Sequence, residues 1–546
     1  MPARMILARV AAGVGLWSAL VLLRPGLLQA QAVSVPVTHE VYDFLQRMES
    51  KHLIHDFRDA ARPLSRKLIA EKLLELEPSL DRLTRVERKR YEFLRTEFSY
   101  EIGAIAGDPE PTDLRWHLGS YGFRGGILNV DPNFRLSYDK AGDQNVTSRT
   151  FGFRTYGYLD RRFGYLFNFQ WSRDQGSGIN PSRMLTPETG IVPQRIQQDF
   201  VEYNNTDAQI GVDLDPFELS LEKMQNVWGY GERGSVILST KAPSYPQIKL
   251  RIRVTDWLDF VYFYAELHSD VVDSTLSYYT HSSSLKDFYR IVYRSKYLVA
   301  HQLEFTPING LDISLGESVV YSDRGISLMY LIPIMFFKSA EHYNRDTDNV
   351  QMFGSMDVNL LKGCRFYLSV FVDELNTEGI FNPLQERNQV AFTAGVHTYD
   401  IGPENTEFIL EYTRLNPWVY SHKQPATTFT NNGYDLGDWL GQNGDDAYIE
   451  MRYLPLRQLT AGAFWERVRK GGSEDVGRQY MLPSPEFLYG PVKKMSYFGA
   501  YARFEFGRDA FIDVMGRWKT ASDEASPLSD VKNQFEYSLA LRYGLW

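Results

Sequence analysis

The chain has 546 residues, of which 43% are hydrophobic and 14% aromatic, and its formal net charge is −9. This acidic balance argues against nucleic acid or an anionic membrane surface as a partner. A lone cysteine, Cys364, excludes an intrachain disulfide, and the mean hydropathy of −0.34 means that residence in a membrane would have to come from alternating strands.

The amino-terminal segment has the pattern of a secretory signal peptide. Arginines precede an apolar run over residues 10–23, and Ala30 and Ala32 form a small-x-small cleavage site. The run is shorter than the ~20 residues of a spanning helix. We predict a cleaved signal at 1–32, whose removal deletes three arginines and no acids and moves the net charge from −9 to −12.

Residues 33–105 have a helical rather than a strand period. Apolar positions recur at spacings of three and four over Val41 to Met48, and Pro63 stands near the start of a second apolar run. Thr84 and Glu87 form a capping-box signature ahead of a third. We predict a small periplasmic helical bundle that plugs a barrel, or docks to peptidoglycan or to a periplasmic or export-machinery protein.

From residue 106 onward the period changes to two. In the last run, Phe535, Tyr537 and Leu539 alternate with small or charged residues such as Glu536, so one face suits hydrocarbon and the other water. Similar runs begin at Phe163, Val261, Met352, Phe366 and Phe498. At about 10 residues per strand, this region suits roughly 16 to 20 strands.

We therefore predict an all-β transmembrane fold for residues 106–546. It is a closed antiparallel barrel of about 18 strands in the outer membrane of a Gram-negative bacterium, with its long loops facing outward. Expected long loops include 176–195 and 416–446, which are rich in Ser, Gly, Asn and Pro.

Two central stretches do not follow the plain strand pattern. Residues 227–250 hold several glycines among aromatic residues, which favours a sharp bend or a close backbone approach. Residues 301–337 place Glu317 in phase with apolar positions. An ionised carboxylate facing lipid is costly, so Glu317 should lie beyond the bilayer, beside a bulge, or paired, with Arg324 as the candidate partner.

In its helical segment and in these central stretches, the chain resembles the Wzi family of capsule-assembly outer-membrane proteins. The matching strings, in order, are HEVYDFLQRM, RPLSRKLIAEKLLEL, the Trp228 to Pro243 stretch, HQLEFTP, LGESVVYSDR and FVDEL. The resemblance implies an eighteen-stranded barrel with an N-terminal helical bundle, acting as a surface lectin that holds capsular polysaccharide to the cell. The chain departs from the family pattern at Tyr230, where proline is expected, and at the terminal Trp546, which is out of phase with the apolar face.

A lectin site needs planar hydrogen-bonding groups and aromatic faces on a rigid support. Some of the predicted site residues on lumen faces can instead cross-brace the interior, because polar lumen residues are ordinary in barrels. The exposed loops are equally good candidates for sugar contact. The predicted carbohydrate-binding residues are Trp228, Tyr230, Arg233, Glu304, Glu317, Arg324, Asp357, Arg365, Tyr367 and Asp373.

Three other function classes stay open beside the lectin. If the protein is a diffusion channel, we expect an open lumen and ion conductance. A lipase or protease needs a nucleophile with an oriented base, for which His281 beside Ser282 is the one eye-catching pair. A structural or secretion protein would act through its helices. No metal-ligand spacing stands out. We predict a protein that is not an enzyme, has no cofactor or metal, and has surface polysaccharide and outer-membrane lipid as partners.

Overall fold

The computed structural model describes residues 32–108, 110–123, 126–159, 163–280, 288–375, 388–473, 476–481, 483–526 and 532–544. Residues 1–31 of the expected signal peptide, His281 with Ser282, and Trp546 lie outside these ranges. In the part of the chain that is described, the structure contains no helix with the length and apolarity needed to cross a membrane.

A helical bundle precedes the barrel. Its α-helices are α1 (Val41–Ser50), α2 (Arg66–Leu76), α3 (Arg85–Glu97) and α4 (Ser99–Ile105). The Ser65 side chain caps α2 by accepting from the Leu68 N–H. Thr84 and Glu87 form the predicted capping box at the start of α3, which the structure confirms. The apolar faces of these helices share one buried core that includes Phe44, Ile69 and Leu94.

Eighteen of the described strands close into an antiparallel barrel, which confirms the predicted fold class. The first and last strands pair with each other, so the barrel strands form a ring. The strands are β1 (Gly126–Ala141), β2 (Gln144–Leu159), β3 (Phe163–Gln175), β4 (Phe200–Asp213), β5 (Phe217–Met224), β6 (Tyr245–Thr255), β7 (Leu258–Val272), β8 (Tyr293–Ile308), β9 (Leu311–Ser322), β10 (Asn349–Leu361), β11 (Cys364–Glu374), β12 (Gln389–Tyr399), β13 (Thr406–Leu415), β14 (Gly444–Leu456), β15 (Leu459–Lys470), β16 (Lys493–Gly507), β17 (Ala510–Asp523) and β18 (Lys532–Tyr543).

The period of two sorts side chains between lipid and lumen. On β18, Phe535 is 53% exposed and Leu539 is 51% exposed, whereas the alternate residues Glu536 and Arg542 are buried. The exposed set forms an apolar outer band, and the buried set faces the interior. The sequence pattern therefore predicts the correct faces of this strand.

The helical bundle occupies the end of the barrel at which the strands are joined by short turns. Ser50 at the end of α1 accepts a hydrogen bond of 2.7 Å from the Gly363 N–H, in the turn between β10 and β11. The buried Arg47 reaches Asp400, in the next short turn, at 2.5 Å and Glu407 on β13 at 3.2 Å. These contacts fix the helices to the barrel wall.

Replacing Arg47 with methionine should loosen the bundle from the barrel. Arg47 also pairs with Glu87 at 2.7 Å, and both side chains are 2% exposed. Removing one partner of a buried ion pair typically costs about 3–5 kcal/mol. Hydrogen exchange of α1 and α3 in the folded protein should accelerate accordingly.

Arg95→Met is the matched control for this change. Arg95 pairs with Glu77 at 3.3 Å, but its side chain is 54% exposed, and such surface pairs contribute about 0–1 kcal/mol. Equal exchange rates in the two variants would contradict the anchoring role of Arg47.

Acid should destabilise the bundle through His39. Burial lowers the pKa of His39 from 6.5 to about 3, so the folded bundle keeps this imidazole neutral while the unfolded chain protonates it below 6.5. The folded bundle therefore keeps its full stability at this residue above pH 6.5, and it loses stability as the pH falls from 6.5 toward 3. Hydrogen exchange of α1, corrected for intrinsic rates, should show lower stability at pH 5 than at pH 7.5, and His39→Gln should reduce that difference. An unchanged difference in the variant would contradict the assignment.

Candidate functional site

Two segments from opposite ends of the barrel meet inside the lumen. From the helical end, Ala61–Arg62 pairs in antiparallel fashion with Val227–Trp228. The latter pair belongs to residues 225–244, which connect β5 to β6 at the other end of the barrel and fold inward. We call residues 225–244 the inward loop. The lumen is therefore crossed by a short two-stranded sheet that joins the helical bundle to the inward loop.

Glycines allow the inward loop to turn within this limited space. Gly229 has φ of +83°, and its N–H donates to the Ala60 carbonyl at 2.8 Å. A Cβ added to Gly231 would lie 1.8 Å from the Gly234 carbonyl oxygen. The close backbone approach predicted from the sequence is confirmed, and any side chain at residue 231 would force the loop to move.

A second connection covers the inward loop from the long-loop end. The Tyr420 hydroxyl donates to the Val236 carbonyl at 2.6 Å, and the Ser239 N–H donates to the Leu436 carbonyl at 2.8 Å. The predicted 416–446 loop thus packs into the barrel mouth instead of extending from it. Apolar residues of the 416–446 loop, among them Trp439, pack with those of the inward loop in one buried core.

The structure brings the predicted aromatic site residues together and buries them. The Trp228 ring is fully buried, 5.1 Å from the Phe263 ring and 5.8 Å from the Phe353 ring between centroids. Tyr230 donates its N–H to the Ser369 hydroxyl at 2.7 Å, and the Arg365 guanidinium lies 5.1 Å from the Tyr230 ring centroid. These rings have no open face for a sugar in this structure.

Arg233 and Tyr367 tie the inward loop to the barrel wall. The Arg233 guanidinium donates to the Glu466 carboxylate at 2.6 and 2.8 Å. Glu411 accepts from the Arg233 N–H at 3.0 Å and from the Tyr367 hydroxyl at 2.7 Å. Both Glu411 oxygens and Glu466 Oε1 are thus engaged by the protein itself.

The predicted carboxylates of the lumen also have internal partners. Glu304 pairs with Arg251 at 2.9 Å, and Asp357 pairs with Arg365 at 2.8 Å. Asp373 accepts from the Tyr420 N–H at 2.8 Å. These contacts are those of cross-bracing, which the sequence left as an alternative. Whether any of these residues also contacts sugar stays a prediction.

Glu317 and Arg324 lie away from this group, on the outside of the barrel. Glu317 accepts from the Phe337 N–H at 2.7 Å and lies 3.1 Å from the His301 Nε2. Arg324 instead pairs with Asp348 at 2.6 Å. The predicted pairing of Glu317 with Arg324 is therefore wrong, because the register of β8 and β9 sets His301 opposite Glu317.

A polar cavity of about 720 Å³ lies between β1–β5 and the 176–199 connection. Asp139 and Val146, which flank the β1–β2 turn at the long-loop end, contribute to its wall. The cavity therefore opens at the end opposite the helical bundle. Its polar lining includes Arg135, Gln170, Asp174, Arg183, Tyr203 and Lys223.

Ion pairs and a buried lysine shape the wall of this cavity. Arg183 donates to Asp174 at 2.6 Å and to the Tyr203 hydroxyl at 3.2 Å. Lys241 of the inward loop donates to the carbonyls of Arg183 and Glu188 at 2.5 and 3.1 Å. Burial lowers the pKa of Lys241 to about 8. The inward loop thus fixes the 176–199 connection in place.

Arg135 and Gln170 provide hydrogen-bonding groups that the protein does not use. Among the described residues, neither side chain has an ion pair or hydrogen bond to a partner. Both line the cavity. Sequence reasoning missed this site, although it marked 176–195 as a long outward loop. The lining comes from alternate residues of several strands, and each of those strands reads as an ordinary polar lumen face.

The fold and the segments inside its lumen define the class of this protein, an outer-membrane β-barrel whose interior holds a helical bundle and an inward loop. The family model described as "Capsule assembly protein Wzi" matches residues 129–461. The chain therefore belongs to the Wzi capsule assembly family, as its sequence motifs indicated.

A solved structure from Escherichia coli agrees with the fold. A carbohydrate-binding β-barrel of Escherichia coli named Wzi, an outer-membrane protein involved in group 1 capsule assembly, has a TM-score of 0.56 at 12% identity. The match covers 94% of this chain and 99% of that one. OprD of Pseudomonas aeruginosa has a TM-score of 0.41 at 11% identity over 76% of this chain and 94% of that chain. OccD3 of the same organism has a TM-score of 0.42 at 12% identity over 83% and 99%. No curated protein sequence matches this chain.

Gly231→Ala should open the lumen to ions. The added methyl group would collide with the Gly234 carbonyl oxygen and displace the inward loop. The unchanged protein should show no steady conductance in planar lipid bilayers, whereas the variant should conduct. Gly122→Ala is the control, since a Cβ there meets nothing within 4 Å. Steady conductance by the unchanged protein would instead support a diffusion channel.

Proposed function

We propose that this protein binds surface polysaccharide in the outward-opening cavity and holds the polymer at the cell surface. The observation that carries the proposal is a polar cavity of about 720 Å³ beside β1–β5, in a barrel whose lumen is elsewhere crossed by the short sheet that joins the helical bundle to the inward loop. Membership of a capsule assembly family supports it. The carbohydrate binding ascribed to the Escherichia coli barrel of the same fold is consistent with it.

The cavity has the groups that sugar recognition requires. Carboxylates, guanidinium groups and amides present planar hydrogen-bonding arrays to hydroxyl groups, and an aromatic ring can pack against sugar C–H groups. Arg135 and Gln170 supply unused donors, Asp139 supplies an acceptor, and Tyr203 supplies a ring. The mixture of both charge signs suits a polar polymer without selecting a particular sugar.

We further propose that the short-turn end and its helices face the periplasm. The long connections and the cavity then face outward, where a surface polymer passes. The helical bundle closes the barrel on the inner side, and a periplasmic or export-machinery protein that docks on it stays a prediction. The proposed activity is binding without catalysis. In the cavity wall, the hydroxyls of Thr150 and Ser172 hydrogen-bond each other at 2.9 Å, and within the described ranges neither hydroxyl hydrogen-bonds to a histidine or a carboxylate that could act as a general base.

Filling the cavity should release polysaccharide from cells. Gln170→Trp places an indole into the cavity without removing an internal hydrogen bond. In a strain whose own copy is deleted, this variant should leave most polymer in the medium, while the unchanged protein keeps it cell-bound at equal total synthesis. Gln198→Trp, an exposed position of the same connection outside the cavity, is the matched control.

Removing the Gln170 amide alone should weaken polysaccharide binding without abolishing it. Gln170→Ala should weaken polysaccharide binding by purified protein up to about tenfold, because one hydrogen bond contributes about 0.5–1.5 kcal/mol. Normal retention by Gln170→Trp cells, with binding unchanged in Gln170→Ala, would contradict the cavity as the site. Retention in the deletion strain itself would contradict the anchoring function.

A further inference from the structure

The connection between β9 and β10 folds back along the outside of the barrel. The Tyr262 hydroxyl donates to the Tyr330 carbonyl at 2.9 Å, and the Ser327 N–H donates to the Tyr264 hydroxyl at 3.2 Å. Tyr262 and Tyr264 alternate on β7 with Val261 and Phe263, which belong to the lumen core. We call residues 324–343 the outer-wall flap.

An apolar core separate from the lumen core lies beneath the flap. Tyr330 and Phe337 are fully buried against outward-facing strand residues, among them Val299, Val319 and Tyr321. Strand residues of the same outer face that the flap leaves uncovered are apolar and exposed. Leu303 is 43%, Leu315 56% and Met352 44% exposed. The flap therefore rests on part of the band that the other strands present to lipid.

The flap reaches the middle of the barrel wall. Its short helix α5 (Phe337–Tyr343) begins beside Glu317, whose carboxylate accepts from the N–H groups of Phe337 and Lys338 at 2.7 and 3.3 Å. Glu317 is the seventh of the twelve residues of β9. A carboxylate in the outer wall is thus buried and hydrogen-bonded under the flap, which removes the cost of exposing it to hydrocarbon.

The face of the flap that points away from the barrel is apolar. No charged residue occurs between Arg324 and Lys338. The exposed fractions range from 38% to 83%, and such a continuous apolar patch is unfavourable in water. The residues that form this face are Ile326, Leu328, Leu331, Ile332, Ile334 and Phe336.

Basic residues surround a surface cavity at the top of the flap. Arg294, Arg324 and Lys423 line it together. Arg294 pairs with Asp323 and Arg324 with Asp348, while Lys423 is exposed. Lipid phosphates lie at the membrane surface and attract basic side chains. In an anionic lipid of the outer leaflet, the phosphate lies above the acyl chains. The basic residues lie above the apolar face of the flap in the same order.

We propose that the outer-wall flap is embedded in the outer leaflet, where acyl chains of outer-membrane lipid cover its apolar face. The flap continues the lipid-facing band at Leu303, Leu315 and Met352, it reaches mid-wall depth at Glu317, and its basic upper border fits the headgroups. This proposal is independent of polysaccharide binding. It makes the barrel thicker on one side, with an element between the strands and the lipid.

Site-directed spin labelling tests the proposal on the full chain. In a Cys364→Ser background, Ile334→Cys carries a nitroxide at a side chain that is 83% exposed, so labelling should not disturb folding. The protein is reconstituted in vesicles of phosphatidylethanolamine and lipopolysaccharide. Collisions of the label with oxygen, which partitions into hydrocarbon, are compared with collisions with a water-soluble nickel chelate. Leu315→Cys gives the lipid reference and the exposed Ser274→Cys gives the water reference.

We expect the label at residue 334 to match the lipid reference, with high oxygen and low nickel accessibility. A nickel-accessible label like that at residue 274 would overturn the proposal by showing that the flap stands in water. Low accessibility to both reagents would overturn it by showing that protein covers the flap. In that case, spin–spin broadening that disappears on dilution with unlabelled protein would identify a second copy of the chain as the cover.

Discussion

The structure depends on one contact inside the lumen, the pairing of Ala61–Arg62 with Val227–Trp228. An eighteen-stranded barrel encloses a wide interior, and here that interior is filled from both ends by segments that must meet. The inward loop can reach the meeting point because Gly231 leaves room for a close backbone approach. The contact joins the helices to the loop, and the loop in turn fixes the 176–199 connection through Lys241.

This arrangement separates bracing from binding. Buried ion pairs such as Arg251 with Glu304 and Arg365 with Asp357 satisfy polar groups in the filled part of the lumen. A buried charge without a partner is expensive, so these groups are committed to the fold. Beside β1–β5 the lumen is not filled, and side chains such as Gln170 keep unused hydrogen-bonding groups. Polar residues of one chemical type therefore have two roles, decided by their neighbours.

Local patterns predicted much of this fold, and long-range contacts determined the rest. The capping box at Thr84 and the alternation on β18 depend on nearby residues, so the sequence alone identified them. The cavity is assembled from several strands, each of which has the usual polar lumen face. For Glu317, the sequence identified the need for a partner, but the choice of His301 depends on strand register. The outer-wall flap has neither a strand period nor the length of a spanning helix, and no local pattern indicated where it packs.

We propose above all that polysaccharide occupies the outward cavity while the helices keep the opposite end closed. Hydrogen exchange of the folded protein, with and without polysaccharide purified from the surface of the same bacterium, tests it most directly. We expect slower exchange in the 176–199 connection and at the outer ends of β3 and β4, with α1 to α4 unchanged. Protection confined to the helices, or none anywhere at saturating polymer, would contradict it.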